Sequence, residues 1–235
     1  MKVRLLAFAS ASDAVGASEL ELELDPGFTI AQLKARLERE HPALAGLWGR
    51  IAVAVDGELA ADADELEEGS EVALLPPVSG GARADRPVGA RVAITEEPLD
   101  VAAVTAKVAG ADCGAEVLFL GVVRDHHGGR RVERLTYTAY RPMALERMRR
   151  IAAELEQESG GPTRVAIVHR LGTLEPGVAS VAIAVASPHR QEAYEASRRA
   201  LERLKAEVPI WKREHYAGGD AAWREEESLA SEFAG

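Results

Sequence analysis

A single cysteine, Cys113, stands in 235 residues. It cannot close an intramolecular disulfide, which suits a reducing compartment, and a small buried apolar role is expected for it. Aromatic residues make up only 5% of the chain, so a core has to be assembled from Ala, Val, Leu and Ile. No apolar run approaches the roughly 20 residues that cross a bilayer. The early LLAFA is shorter than the apolar region of a signal peptide, and polar residues follow it at once. These absences predict a cytoplasmic protein with no membrane contact. The formal net charge of −10 leaves no basic excess for nucleic acid, which is excluded as a partner. Neither a P-loop nor a dinucleotide-binding glycine fingerprint is present. His126 and His127 are adjacent and point apart in extended chain, and no Cys, His or carboxylate spacing completes a metal set.

What is present is unevenly spread. Residues 1–81 hold 6 Lys and Arg against 15 Asp and Glu, whereas residues 82–235 hold 22 against 23. An acidic piece precedes a nearly neutral, Arg-rich one. The predicted organisation is a domain over 1–81, a linker over 82–90 (ARADRPVGA) and a second domain over 91–235. At about 3.3 Å per residue, the linker spans on the order of 30 Å when extended.

The first domain reads β-β-α-β-β. KVRLLAFA (2–9) and the strictly alternating ELELEL (19–24) are strands. Thr29 with Gln32 fits a capping box, and Ile30, Leu33 and Leu37 line one helical face that ends at His41-Pro42. RIAVAVDG (50–57) and EVALLPPV (71–78) are the last two strands. The second domain reads as α+β with a mixed or antiparallel sheet. Its strands are RVAITEEP, AEVLFLGVVRD, RVERLTYTAY, TRVAIVHRLGTL, SVAIAVAS and IWKREHY. Its helices start near the N-cap Asp100, at MALERMRRIAAELEQE, and over 189–207 before Pro209.

Several residues carry candidate chemistry. Gly80-Gly81 closes PPVSGG; a glycine pair is either a flexible linker or a tail able to thread a narrow channel. A β-grasp order ending in Gly-Gly is the layout of ubiquitin-like carriers. Arg124 follows a strand and precedes the DHHGG turn, as a site ligand or an ordinary surface arginine. His189-Arg190 open a helix after Ser187-Pro188, so they either decorate a helix start or form an anion-binding corner with its free N–H groups. Lys205 and Lys212 flank the stop at Pro209. If both face one pocket, their mutual repulsion lowers a pKa from about 10.4 and yields a base or nucleophile; otherwise they solvate a helix end. Trp211 either dries that pocket or belongs to the core.

Taken together, PPVSGG at the end of residues 1–81 and the stretches FLGVVRDHHGG, LTYTAYRPMA, VHRLGTLEPG, SPHRQEAYEASRRALERLK and PIWKREHY resemble molybdopterin synthase. The first domain is similar to its small subunit, a ubiquitin-like (β-grasp) sulfur carrier. Residues 91–224 are similar to its large catalytic subunit, an α/β hammerhead-type domain. The resemblance implies that a thiocarboxylate on Gly81 donates sulfur to cyclic pyranopterin monophosphate, twice, to build the dithiolene of molybdopterin. It implies Lys205 and Lys212 as active-site lysines, Arg124, His189 and Arg190 as ligands of the phosphorylated pterin, and Phe119 as a pocket-lining residue. It further implies a homodimer through the catalytic domain, with some ligands contributed across it. An adenylating and sulfurating enzyme would activate the Gly81 carboxylate, and no tightly bound cofactor is expected.

Two departures stand out. Where the family places a further basic residue after the Trp, this chain runs Trp223-Arg224-Glu225-Glu226-Glu227, so either Arg224 substitutes or the contact is missing. Gly81 is followed by Ala82, and a peptide amide there cannot become a thiocarboxylate without cleavage. A processing protease acting behind Gly81 is therefore expected. The alternatives are an uncleaved, blocked or regulatory fusion, or a carrier serving another pathway.

Overall fold

The computed structural model describes residues 1–76, 91–159 and 161–224. The chain divides into two compact units, Met1–Val78 and Ser79–Gly235. The sequence-predicted linker and Gly80-Gly81 lie outside the described residues.

In the first unit β1 (Lys2–Ala7), α1 (Ala9–Val15), β2 (Glu19–Glu23), α2 (Ile30–Glu40), β3 (Ala52–Val55), β4 (Glu58–Leu59) and β5 (Glu71–Leu75) follow in order. The sheet runs β2-β1-β5-β3-β4. β1 and β5 lie parallel at its centre, and the other pairs are antiparallel. This is the ubiquitin-like arrangement that the strand order predicts. The capping box forms: the Gln32 N–H donates to the Thr29 hydroxyl and the Thr29 N–H to the Gln32 amide oxygen. Ile30, Leu33 and Leu37 bury against Val3, Leu5, Val53, Val72 and Leu74. α1 was not predicted. Its buried stripe is Ala9, Ala11 and Val15, and methyl-sized side chains among serines give little periodic contrast.

The second unit contains β6 (Val92–Thr95), α3 (Val101–Ala106), β7 (Ala115–Val122), β8 (His126–His127), β9 (Arg130–Ala139), α4 (Arg141–Glu158), β10 (Arg164–Arg170), β11 (Gly172–Leu174), β12 (Ala179–Ser187), α5 (Arg190–Glu207), β13 (Ile210–Tyr216) and β14 (Ala221–Arg224). Two sheets form where one was predicted. The first, β6-β10-β12-β7, is mixed, because β6 and β10 are parallel. The second, β11-β9-β13-β14, is antiparallel. The segment TRVAIVHRLGTL is therefore not one strand. It breaks at Leu171, and Gly172, held at φ 92°, turns the chain into the other sheet. Gly218 and Gly219 also take positive φ and make the turn that returns β14 along β13, a four-residue strand too short to read from its pattern.

α4 and α5 cover one face of the mixed sheet. Met148, Ile151 and Leu155 pack with Val165, Ile167, Ile183, Val185, Ala193, Ala196 and Leu204. The small α3 and the turn after it cover the other face only over β10 and β12, through Val104 and Val108 against Ala166, Val168, Ala182 and Ala184. β7 is left at the edge, with Leu118, Leu120 and Val122 exposed by 40%, 36% and 47%. Cys113 is not the buried apolar residue expected: it is half-exposed, and its sulfur accepts from Arg164 Nη1 at 3.1 Å. No helix among the described residues is long and apolar enough to cross a membrane.

His169, on β10, is buried, and its ring lies edge-on to Tyr137. Its Nδ1 donates to the Arg170 carbonyl at 2.9 Å, which fixes the neutral tautomer. Burial pushes its pKa down to about 4, so folding favours the neutral ring. Stability is complete above the ordinary histidine value and falls as pH drops from about 6.5 toward 4. At 1.36 kcal/mol per pKa unit the loss is about 3 kcal/mol. Urea unfolding across that window should show this slope in the second unit, and His169→Gln should flatten it. In the first unit, Thr29→Ala removes the cap of α2, and the same unfolding measurement should report a loss of about 1 kcal/mol.

Candidate active site

Two elements decide where the candidate residues lie. β7 pairs antiparallel with β12, Ala115 opposite Ser187 and Val122 opposite Ala179. α5 begins three residues beyond the end of β12 and packs back over β12 and β7. One end of this layer therefore holds the start of β7 and the N-terminus of α5. The opposite end holds the end of β7 and the C-terminus of α5.

His189 and Arg190, both exposed, sit at the first end. His189 is the N-cap of α5 in extended backbone, and its side chain makes no cap hydrogen bond. The first-turn N–H groups and the Arg190 guanidinium make a corner suited to an anion. Gly114 stands beside it because the backbone is tight: a Cβ there would lie 2.7 Å from the Pro188 carbonyl oxygen.

Arg124, Lys205 and Lys212 sit at the other end. Arg124 is exposed two residues past β7, Lys205 is exposed in the last turn of α5, and Lys212 is half-buried on β13. Between the lysines the chain turns at Val208-Pro209. The Tyr140 N–H donates to the Pro209 carbonyl at 3.2 Å, which ties the corner to the start of α4. Lys212 pairs in register with Tyr137 on one side and Arg224 on the other. Arg224 thus stands opposite Lys212 in the strand register. Trp211 points to the opposite face and is buried. Phe119, midway along β7, is half-buried against the α4–α5 core.

Arg124 and the two lysines thus lie toward one end of the layer, and His189 and Arg190 toward the other. Fifteen helical steps lie between Arg190 and Lys205, roughly 22 Å at 1.5 Å per residue.

Sequence reading missed Glu214, two residues beyond Lys212 on the same face of β13. Its buried carboxylate accepts from the Tyr216 hydroxyl at 2.5 Å, and His127 Nδ1 lies 3.4 Å away. Burial of a carboxylate beside two polar partners is a three-dimensional fact that the string IWKREHY does not carry. The ring of Tyr216 also stacks under Arg130, at 3.9 Å. His126 pairs with Asp125 at 2.6 Å, so the two histidines do point to different partners. Among the described residues no three His, Cys, Asp or Glu side chains gather as a metal site. An open cleft of about 740 Å³ lies next to Arg124 in sequence, lined by Asp125, His126, Arg130, Arg131, Glu133 and Glu175 among others; the two lysines are not part of its wall.

Comparison with known proteins agrees with this architecture. Residues 94–207 match the MoaE protein family and residues 5–81 match the ThiS family. The molybdopterin synthase catalytic subunit of Bacillus subtilis is 45% identical over 130 residues, which is 55% of this chain and 82% of that protein. Molybdopterin synthase catalytic subunit 1 of Mycobacterium tuberculosis is also 45% identical over 130 residues, 55% of this chain and 87% of that protein. Among solved structures, molybdopterin synthase from Staphylococcus aureus superposes with a TM-score of 0.54 at 39% identity, covering 57% of this chain and 96% of its own. The β-grasp unit with its ThiS match, and the two-sheet unit whose matched residues 94–207 include Arg124 and Lys205, leave one conclusion: the chain belongs to the MoaE family of molybdopterin synthase catalytic subunits, and carries a ThiS-family domain fused in front of it.

Proposed function

We propose that this chain, an enzyme of molybdopterin biosynthesis, transfers sulfur from a thiocarboxylate on Gly81 to cyclic pyranopterin monophosphate. The observation that carries this reading is the placement of Lys205 and Lys212 on the two sides of one corner, at the same end as Arg124. The β-grasp unit supplies the donor. After cleavage behind Gly81, a partner enzyme adenylates and sulfurates the freed carboxylate. The donor sulfur forms a carbon–sulfur bond to a side-chain carbon of the substrate as the carbon–oxygen bond there breaks, the oxygen leaving as water at one carbon and remaining on the ring-opened phosphate at the other. Its bond to the Gly81 acyl carbon then breaks by addition of water, which regenerates the carboxylate. A lysine amine serves as the base, or as a transient acyl acceptor, and the second takes the developing charge. Two such transfers complete the dithiolene. No resident cofactor is needed, since sulfur arrives on the carrier.

The substrate phosphate binds the corner formed by the α5 N-terminus, His189 and Arg190. Because that corner lies roughly 22 Å from Lys205 by helix rise, the site is shared between two copies. A second chain laid antiparallel along the β7 edge brings its α5 N-terminus to the end that bears Arg124. The same pairing covers the open edge and its aliphatic stripe. Each site then combines Arg124, Lys205 and Lys212 with His189 and Arg190 of the partner subunit.

A mixed-dimer experiment tests the shared site. Arg124→Ala and Arg190→Ala should each abolish turnover alone. Co-refolded at equal amounts, half of the dimers carry one intact site, so about a quarter of parental activity should return. No recovery would place both arginines in one chain's site. Intact mass spectrometry of protein from a sulfurating host tests the donor. A fragment ending at Gly81 with one oxygen replaced by sulfur is expected, and an always-uncut chain would favour the blocked fusion.

A further inference from the structure

Beside the Ala, Leu, Ile and Met of the α4–α5 layer, two arginines of α4 are buried, Arg147 and Arg150, exposed by 6% and 4%. Burying guanidinium groups is costly, and here Arg150 disfavours the charge of Arg147. Desolvation first, and then Arg150, pushes the pKa of Arg147 down. An apolar pair of similar volume would give an equally stable helix contact at lower desolvation cost. The reason to keep arginines there lies in what they hold.

Both hold Glu207, the last residue of α5. Arg147 Nη1 donates to the Glu207 carbonyl at 3.3 Å, and Arg150 Nη2 donates to its carboxylate at 3.2 Å. Arg203 closes the other side, with Nε and Nη2 donating to the same carboxylate at 2.6 and 3.1 Å, and pairs with Glu154 of α4 at 2.6 Å. Burial alone would raise the Glu207 pKa, but Arg203 and then Arg150 outweigh it and hold the carboxyl below its usual value. The cluster supplies a partner to a last-turn carbonyl that the helix cannot satisfy itself, and places positive charge at the helix C-terminus, where the dipole favours it.

Glu207 lies two residues after Lys205 and immediately before the Val208-Pro209 corner that leads to Lys212. We infer that Arg147 and Arg150 are positioning residues: they clamp the end of α5 through Glu207 and so set the placement of Lys205 relative to Lys212. Neither arginine is assigned contact with substrate. The inference rests on the proposed role of the two lysines, but the clamp itself can be read without turnover.

The test compares the full-length chain with Arg150→Met, which keeps bulk and loses the fork, and Arg150→Lys, which keeps charge. All are assayed well below their melting temperatures. The first readout is the rate of amine acetylation at each lysine, followed by peptide mass spectrometry. In Arg150→Met, Lys205 and Lys212 should change by about 3-fold or more relative to Lys34 and Lys107, and Arg150→Lys should return part of the way. The second readout is sulfur transfer. Displacement of a reacting group by about 1 Å costs on the order of 100-fold, so kcat should fall about 10- to 100-fold with KM within 2-fold. Unchanged labelling at both lysines in Arg150→Met would overturn the clamp, even if the melting temperature drops. A parental chain that gives no turnover, with labelling that shifts as expected, would retain the clamp and reject the proposed reaction.

Discussion

The rigid rise of α5 is the constraint on which the rest of the catalytic unit depends. Eighteen helical residues, Arg190–Glu207, span about 27 Å at 1.5 Å each. The nine residues of β12 beneath them span nearly the same length at about 3.3 Å each. Because the two match, the helix leaves the sheet where the strand began, and whatever the sequence places at its two tips is held apart by a fixed rod. An anion-binding corner at one tip and a lysine at the other cannot be drawn together by side-chain flexibility. In the proposed reaction a second copy unites them, and the open edge strand is the place proposed for it.

The core around that rod follows from composition. With few aromatics available, the α4–α5 layer rests on Ala, Val, Ile, Leu and Met, whose small facing residues let the helices lie close to the sheet. Close helices leave little water between them, which is why the charged cluster around Glu207 stands out. Four of its charged side chains, Arg150, Arg203, Glu154 and Glu207, are each paired within 3.9 Å, and Arg147 is held by the Glu207 carbonyl instead. Apolar packing fixes how far α4 stands from α5; the ionic cluster fixes where α5 stops. The two devices act at different points and do different things.

Much of the fold was legible because the signals were local. Thr29 and Gln32 mark a helix start by hydrogen bonds that span three residues, and the alternation of ELELEL needs no tertiary partner to be recognised. The elements that escaped were those whose identity is decided elsewhere in space. α1 buries only small side chains, β14 exists because β13 offers it an edge, and the break at Leu171 is visible only once two sheets are seen. The candidate residues were legible as types at strand and helix ends. Their grouping was not: a string of letters does not show that Arg124 shares an end with Lys205 while Arg190 lies across the layer. Glu214 was invisible for the same reason, since a carboxylate in a charged run looks solvated until the sheet buries it. Cys113 erred in the other direction, as its guanidinium neighbour comes from a strand some fifty residues away.

The stripe of Leu118, Leu120 and Val122 on an edge strand has a consequence for the life of the chain. A newly made catalytic unit that exposes such an edge is prone to stack with any extended segment it meets, and its near-zero charge does nothing to keep copies apart. The fused carrier contributes nine net negative charges, so every copy leaves the ribosome with a repulsive shell already attached. Translated as one chain, the acidic unit acts as a built-in solubiliser for its sticky neighbour, a benefit that two separately made subunits would gain only after they had met.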